Sequence, residues 1–209
     1  MCTPENLPYR LQAKSDFLHF PETSRFGNFP YIPFPKTKSA AFLDRDGLLI
    51  RDDNFLVKQE NIKILDKVIS TIKEIQSFFF VVIVTNQSAI ARGLLTEDNL
   101  LGIHNNIVLQ IEEGGAVIDA IYYCPHLPGS HIERYDSICV CRKPKPGMIN
   151  RAIEKWGLER NLSFMIGDSE RDVEAADKAG IVGIRTMKNR IPEEGNDSKI
   201  EGLYEAFNG

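Results

Sequence analysis

The sequence lacks any long apolar run. Its longest, from Phe78 to Val84, is far shorter than a membrane span, which needs about 20 apolar residues. The first residues also lack a basic start followed by an apolar core, the pattern that is typical of a secretion signal. These absences predict a cytoplasmic protein that does not enter a membrane.

The sequence also lacks an excess of positive charge. Its 25 lysines and arginines are outnumbered by 29 acidic residues, for a formal net charge of −4. Such a balance provides no overall positive field to hold nucleic acid or an anionic membrane surface. An anionic substrate would therefore have to be met by a local cluster of donors.

Internal repeats and low-complexity tracts are absent too, and the composition changes only once, near residue 38. Residues 1–38 carry six prolines and no sustained periodicity. We interpret them as an N-terminal extension, either packed on the domain or partly disordered. Residues 39–209 are predicted to form one domain, and this length is sufficient for a substantial buried core. The sequence shows no apolar stripe that indicates contact with a partner chain, so a monomer is expected.

What is present from residue 39 onward is an alternation of short apolar runs with helical patterns. The runs are rich in β-branched and aromatic residues, as strands buried on both faces are. The predicted strands are 39–43, 78–84, 118–123, 162–166 and 181–185. Strands alternating with helices imply parallel pairing. The sequence therefore predicts a doubly wound α/β sheet with helices on both faces.

Four amphipathic helices are predicted between these strands. The first has Asp66 as its N-cap and the second follows Thr96. The third covers residues 147–156, and the fourth covers 170–179 and ends at Gly180. Open sheets of this class bind ligands at the carboxyl ends of their strands. The residues at those ends are therefore the candidates for chemistry.

The first strand ends in Asp44-Arg45-Asp46-Gly47. Two carboxylates so close together repel each other unless a cation or a proton lies between them. Magnesium suits this position because it prefers oxygen ligands and binds phosphate. The same pattern also occurs in calcium loops and plain turns.

The second strand ends in Thr85-Asn86-Gln87-Ser88. A hydroxyl, an amide and successive main-chain N–H groups at a strand end can hold phosphate oxygens. The alternative is a polar loop that caps the next helix.

The segment Arg142-Lys143-Pro144-Lys145-Pro146 lies just before the third helix. Its prolines stiffen the backbone, so a lysine there can be held in one pose. A cation at that point would offset phosphate charge, although a solvated basic loop is the alternative.

The fourth strand ends in Gly167-Asp168, and Asp172 follows one helical turn later on the same side. This pair can complete a magnesium site, unless the acids serve only to complement the helix dipole. Suitable side chains at successive strand ends together favour a phosphoryl-transfer site.

A loop at 124–141 carries three cysteines and a histidine. Cys124, His126, Cys139 and Cys141 meet the tetrahedral Cys₃His preference of structural zinc. A disulfide is the alternative, which a reducing compartment disfavours. All four positions would be filled by protein, so the zinc is expected to be structural and to pin a loop next to Arg142.

These motifs resemble those of the haloacid dehalogenase (HAD) superfamily, and in particular its heptose 1,7-bisphosphate and histidinol-phosphate phosphatases. The resemblance covers residues 40 to about 190. It rests on Phe42-Leu-Asp-Arg-Asp-Gly, Val84-Thr-Asn-Gln-Ser, Ile90-Ala-Arg-Gly, Tyr122-Tyr-Cys-Pro-His, Cys141-Arg-Lys-Pro-Lys-Pro-Gly-Met and Gly167-Asp168-x-x-x-Asp172. Leu48, Ala89 and Ser169 depart from the residues usual in the heptose enzymes.

The resemblance implies a magnesium-dependent phosphatase with a small zinc-binding loop in place of a large cap. Asp44 would be the nucleophile and Asp46 the general acid and base. Magnesium would be held by Asp44, the Asp46 main-chain carbonyl and Asp168, with Asp172 binding through water or in support. Thr85, Asn86 and Lys143 would hold the phosphoryl group. The sugar side would be contacted by Asp52, Asp53, Asn54, Phe55, Gln87, Ser88 and Arg142.

Three alternatives accompany this reading. Within the enzyme class, histidinol phosphate or another small phosphomonoester is the alternative to a heptose bisphosphate. A binding module that has lost catalysis is supported only by the Leu48 departure. A zinc module that binds nucleic acid is disfavoured by the acidic balance and by the lack of interleaved aromatic and basic residues.

Overall fold

The computed structural model describes residues 38–52 and 55–189, together with the backbone of residues 10 and 11. The strands are β1 (Arg10–Leu11), β2 (Ala40–Leu43), β3 (Phe80–Asn86), β4 (Ala120–Cys124), β5 (Phe164–Gly167) and β6 (Val182–Arg185). The helices are α1 (Val68–Ile75), α2 (Glu97–Glu113), α3 (Gly147–Trp156) and α4 (Glu170–Ala179). Single 3₁₀ turns lie at Gln59–Asn61, Glu133–Tyr135 and Arg160–Leu162.

The strands form one sheet in the order β1-β4-β3-β2-β5-β6. All pairings from β2 to β6 are parallel, whereas the short β1 pairs antiparallel with β4 at the edge. Strand β2 is central: Leu43 is in register with Ile83 of β3 and with Ile166 of β5. The carboxyl ends of β2, β3 and β5 therefore meet at one edge of the sheet.

The sheet is covered on both faces, as a doubly wound fold requires. On one face the alternate strand residues Leu43, Ile83 and Ile121 belong to the same apolar cluster as α1 and α2. On the other face Phe42 and Val82 pack in a cluster with α3 and α4. The predicted fold class is confirmed. No helix among the described residues is both long and apolar enough to span a bilayer.

The predicted helices are confirmed, with one error at an N-terminus. Thr96 caps α2, since its hydroxyl accepts a hydrogen bond from the Asn99 N–H at 3.1 Å. The bounds of α3 and α4 agree with the prediction, and Gly180 ends α4 in the left-handed conformation. The prediction of Asp66 as the N-cap of α1 was wrong. Lys67 occupies that position with φ of 65°, and it provides no side-chain cap.

The predicted strands are all present but begin one or two residues later than expected. Phe78 and Phe79 continue the apolar run of β3, yet the N–H groups of both donate to the Ile75 carbonyl at the end of α1. An apolar run does not by itself mark where sheet pairing begins. In the extension, only Arg10, Leu11 and Lys38 are described, so both alternatives for that segment, packed on the domain or partly disordered, fall on residues outside the described ones.

Candidate active site

Lys143 is the centre of the candidate site, and it is 3% exposed. Its ammonium lies 2.9 Å from Asp44 Oδ1 and 2.7 Å from Asp172 Oδ1, and it donates to the Val84 carbonyl at 2.8 Å. An ammonium has three N–H bonds, so these three contacts use all of its donors. The predicted lysine, in the segment before α3, is thus brought to the ends of β2 and β3 and the start of α4.

Burial and charge set the protonation of this cluster. Burial raises the pKa of Asp44 to about 7; Lys143 opposes the rise, while Asp172 and Asp46 add to it. Burial works against the charge of Lys143, but the Asp44 and Asp172 carboxylates outweigh it and raise the lysine's pKa. Burial likewise opposes ionisation of Asp172, but Lys143 and Ser169 hold its pKa below the usual value. Lys143 and Asp172 therefore form a buried ion pair beside Asp44.

Three carboxylates converge at this point. One carboxylate oxygen from each of Asp44, Asp168 and Asp172 lies within 4.8 Å of the others. Burial, and then the nearby Asp172, raises the pKa of Asp168. Three acids at such a distance repel each other, and a divalent cation would relieve that repulsion. The predicted acid set from β2, β5 and α4 is therefore assembled as a candidate metal centre.

Two glycines allow this close approach. Gly47 has φ of +83°, and a Cβ there would lie 2.2 Å from Asp168 Oδ2. A Cβ on Gly167 would lie 2.4 Å from the Asp172 carboxyl group. Both positions require glycine because any side chain would displace an acid of the site. Asp172 is further fixed by the N–H and hydroxyl of Ser169, which donate to its Oδ2 at 3.0 and 2.6 Å.

The Asp46 carboxylate lies outside the cluster of three acids. Its two oxygens accept hydrogen bonds from the Arg45 guanidinium, and its Oδ2 accepts from Gln87 Nε2 at 2.8 Å. Thr85 Oγ1 lies 3.4 Å from the same oxygen. The predicted metal contact of Asp46 is through its main-chain carbonyl. The position of the side chain does not test that prediction.

Sequence reasoning missed Arg45 and His104. Arg45 is 1% exposed, and its Nη1 lies 3.0 Å from His104 Nε2 on α2, which is also buried. A signal existed in the sequence, since His104 stands on the apolar stripe of α2 between Leu100 and Ile107. A polar residue on a buried stripe needs a polar partner. Its partner could not be inferred, because the loop after β2 is distant from α2 in the chain.

Several of the residues that were predicted to contact the phosphoryl group or the sugar have contacts of their own in the structure. Both polar atoms of the Asn86 side chain are bonded at 3.0 Å to the Lys143 backbone, so this amide ties the lysine segment to β3. Gln87 contacts Thr85, Arg45 and Asp46. Asp52 forms an ion pair with Lys188 at 2.7 Å, a residue that the sequence did not single out. Asp53 and Asn54 lie outside the described residues.

The predicted zinc ligands form a second, separate cluster. Cys124 Sγ lies 3.5 Å from Cys139 Sγ and 3.3 Å from Cys141 Sγ, and His126 Nδ1 lies 3.3 Å from Cys141 Sγ. A disulfide requires about 2.05 Å between sulfurs, so the three thiols are free. All four ligand atoms lie within 4.8 Å of one another and are buried. This arrangement could hold one ion.

The loop with these thiols is joined to the active site. Arg142 follows Cys141 directly, and its guanidinium donates to the His126 carbonyl at 3.2 Å. On the other side of the loop, Tyr135 donates through its hydroxyl to Glu97, which also accepts from the Tyr123 hydroxyl at 3.1 Å. The loop is therefore anchored to α2 and β4, and it fixes the segment that carries Lys143.

Comparison with known proteins agrees with this geometry. Residues 140–194 match the profile of the HAD-hydrolase-like family. A D-glycero-beta-D-manno-heptose-1,7-bisphosphate 7-phosphatase of Rhodopseudomonas palustris is 38% identical over 71% of this chain and 83% of its own. The protein of that name from Escherichia coli K12 is 36% identical over 77% of this chain and 86% of its own. The chain belongs to the HAD family of phosphatases.

Solved structures extend the comparison of this HAD phosphatase to three dimensions. A D,D-heptose 1,7-bisphosphate phosphatase from B. bronchiseptica, complexed with magnesium and phosphate, has a TM-score of 0.66 and 30% identity. The match covers 81% of this chain and 99% of that chain. A HAD-like phosphatase from Mesorhizobium loti has a TM-score of 0.72 and 25% identity, covering 85% and 90% of the two chains. The resemblance deduced from the motifs is confirmed.

Proposed function

We propose that this HAD phosphatase removes the 7-phosphate of D-glycero-D-manno-heptose 1,7-bisphosphate and releases heptose 1-phosphate. The observation that carries the proposal is the buried contact of 2.9 Å between the Lys143 ammonium and the Asp44 carboxylate, at the carboxyl end of β2. The named activity of relatives at 36–39% identity supports the choice of substrate.

The first half of the reaction is transfer of the phosphoryl group to Asp44. A carboxylate oxygen of Asp44 forms a bond to phosphorus while the bond from phosphorus to the sugar oxygen breaks. Asp46 donates a proton to that leaving oxygen, so the heptose 1-phosphate departs with a hydroxyl group in place of the broken ester. The Lys143 ammonium, 2.9 Å from Asp44, is placed to offset the negative charge of the phosphoryl oxygens.

The second half is hydrolysis of the aspartyl-phosphate. Asp46, now deprotonated, accepts a proton from water as the water oxygen attacks phosphorus. The bond between phosphorus and the Asp44 oxygen breaks, which releases phosphate and restores the carboxylate. The Thr85 hydroxyl, which is 1% exposed and lies 3.4 Å from Asp46, would orient the phosphoryl group.

The residues present fit magnesium. The oxygens of Asp44, Asp168 and Asp172 converge within 4.8 Å, and burial with mutual repulsion raises the pKa of two of these acids. Asp44 and Asp168 would hold the ion together with the Asp46 main-chain carbonyl, while Asp172, already paired with Lys143, would support it indirectly. Bound magnesium would neutralise part of the phosphate charge and favour attack by a carboxylate.

The substrate assignment predicts a ranking of rates. We expect phosphate release from the heptose 1,7-bisphosphate to exceed that from histidinol phosphate and from simple sugar monophosphates by at least about 100-fold in kcat/KM. The physical reason is that contacts to the second phosphate and the heptose hydroxyls are lost in smaller substrates. A malachite-green assay with magnesium measures this ranking. Equal weak rates on all substrates would contradict the assignment.

The outcome also separates the competing functions. Preference for histidinol phosphate would support the alternative within the enzyme class. No magnesium-dependent release from any substrate would support a binding module without catalysis. Leu48, the residue that suggested that module, is packed in the apolar core at 2% exposure. Salt-sensitive retention on DNA would revive the nucleic-acid alternative.

The Cys₃His cluster is proposed to bind structural zinc. Its four ligand atoms are buried and come entirely from protein, and free thiols at 3.3–3.5 Å suit a shared tetrahedral ion. The cluster is separate from the three acids, so the zinc would fix the loop before Lys143 without taking part in the reaction. We also propose a cytoplasmic monomer, with residues 1–38 as an extension to the catalytic domain.

Replacing Cys141 with serine tests the zinc site. We expect the purified protein to lose its stoichiometric zinc and to be destabilised by about 4 kcal/mol, because loss of a bound metal is among the changes with the largest effects on stability. For a chain of this size, that corresponds to a Tm lower by about 8–16 °C. Metal content by mass spectrometry and thermal melting measure both effects. Cys2→Ser is the matched control, and equal zinc content in both variants would contradict the proposal.

A further inference from the structure

The described residues contain a guanidinium that the proposed chemistry does not use. Arg45 lies between the two catalytic acids in sequence, and its side chain is buried at 1% exposure. Its five N–H donors have a fixed fork geometry and must all be satisfied when buried. The contacts recorded for them are with Asp46, Gln87 and His104.

We propose that Arg45, held in place by His104, is a positioning residue that holds the Asp46 carboxylate in the orientation in which it accepts the proton of the attacking water. The proposal rests on the proposed function, since it concerns the acid and base of that reaction. It adds two residues, one from the loop after β2 and one from α2, to the set on which the rate depends.

The geometry of the Arg45 fork supports this role. Nε and Nη2 lie 3.1 and 2.7 Å from Asp46 Oδ1, and Nη2 also lies 2.9 Å from Oδ2. Gln87 Nε2 donates to Oδ2 at 2.8 Å, and Gln87 Oε1 accepts from Arg45 at 3.0 Å. Contacts to both oxygens restrict rotation of a carboxylate whose side chain is otherwise 24% exposed.

His104 fixes the other end of the fork. Its Nε2 lies 3.0 Å from Arg45 Nη1, and its ring packs edge-on against Tyr123 with centroids 5.8 Å apart. Burial, and then the Arg45 charge, lowers the pKa of His104 well below its usual value. The neutral ring can accept from Arg45 through Nε2 while Nδ1 carries the proton. A rigid helix and strand thus hold the guanidinium that orients the acid.

A merely structural role and a positioning role predict different kinetics. If the network only stabilises the fold, variants should lower stability and leave kcat of the folded enzyme intact. If it orients Asp46, kcat should fall while KM changes little, because substrate binding does not need the proton transfer. Misplacement of a catalytic group by about 1 Å can reduce the rate by about 100-fold.

The test compares His104→Leu with His104→Gln. Leucine removes the acceptor for Arg45, whereas the glutamine amide oxygen can replace it. We expect kcat of His104→Leu to fall by about 10- to 100-fold with KM within about 2-fold, and His104→Gln to stay within about 3-fold of wild type. Arg45→Lys, which keeps the charge but loses the fork, should lose kcat as His104→Leu does.

p-Nitrophenyl phosphate provides a second readout. Nitrophenolate leaves without a proton, so the first step does not need Asp46, whereas hydrolysis of the aspartyl-phosphate does. In a stopped-flow measurement, His104→Leu should release a larger burst of nitrophenolate than wild type, followed by a slower steady rate. A loss of stability alone would not produce that burst.

Each result decides the proposal. Unchanged kcat in the folded fraction of His104→Leu, or equal loss of kcat in the leucine and glutamine variants without a burst, would overturn it. A higher rate would also overturn it, because Arg45 would then restrain Asp46. Wild-type turnover of the aryl phosphate but not of the heptose substrate would refute only the proposed substrate, and the His104 comparison would still apply. An inactive wild type would overturn both.

Discussion

Replacement of Asp44 with asparagine should abolish phosphate release while the protein stays folded. The amide cannot attack phosphorus, and loss of a nucleophile costs roughly 10⁴-fold or more in kcat. The fold should survive because burial already raises the pKa of Asp44 to about 7, so a neutral side chain is well tolerated there. The expected variant is a folded protein that binds substrate and does not turn it over.

The pH dependence of stability should differ between wild type and this variant. A carboxyl whose pKa is raised in the folded state stabilises the fold at low pH and loses that contribution as the pH rises. Without magnesium, wild type should therefore lose stability between about pH 4 and 7 from this group, and Asp44→Asn should not. Urea unfolding across that range measures the difference.

A matched control makes the kinetic result specific. Asp177→Asn is the same chemical change at an exposed position on α4, and it should leave kcat and stability close to wild type. Residual activity of Asp44→Asn above about 1% of wild type would show that Asp44 is not the nucleophile, since no other carboxylate could replace it without rearrangement.

Replacement of Lys143 with methionine should have the largest combined effect on activity and stability. Its ammonium pairs with both Asp44 and Asp172, and the side chain is almost fully buried. Removal of one partner from a buried ion pair typically costs about 3–5 kcal/mol, because a charge is left uncompensated. Activity should fall by about 1,000-fold, since the phosphoryl group would lose its cation.

The destabilisation caused by Lys143→Met should depend on pH and on magnesium. Without Lys143, the pKa values of Asp44 and Asp172 should rise. At low pH both acids are then protonated, and the loss of folding free energy is small. As the pH rises they ionise without a partner, and the loss of folding free energy grows. Magnesium should offset it by providing a cation beside the same carboxylates. Urea unfolding at about pH 5 and pH 8, with and without magnesium, tests this dependence.

Lys178→Met provides the comparison for Lys143→Met. Lys178 forms an ion pair with Glu174 at 2.9 Å, but both side chains are about half exposed. An exposed pair of this type contributes at most about 1 kcal/mol. If Lys143→Met cost no more than Lys178→Met, the buried ammonium would not be what balances the acids of the site.

Local patterns in the chain predicted much of the fold. The Thr96 cap, the apolar stripe of α2 and the left-handed Gly180 depend on residues within a few positions of one another. Such signals are visible in sequence because caps and helix faces have short periods. Boundaries were less well predicted: Phe78 and Phe79 have strand-like side chains, but their N–H groups close the end of α1 instead.

The candidate site was predicted where motifs stand at strand ends. Asp44, Thr85 and Asp168 follow three strands that the alternation predicted to be parallel, and parallel strands bring their carboxyl ends to one edge. Lys143 was included through the stiff segment before α3. Arg45 was not assigned a role, because a charged residue after a strand is usually exposed.

By itself, the sequence determined the doubly wound class, the positions of the acids and lysine along the chain, and the set of thiol and imidazole ligands. These follow from spacing, periodicity and residue chemistry, which are local properties. Only the tertiary structure decided that Lys143 binds Asp172 as well as Asp44, that Asn86 holds the lysine backbone, and that His104 meets Arg45. Those contacts join residues about 30 to 60 positions apart, and their partners are selected by sheet order and helix packing, which no local pattern encodes.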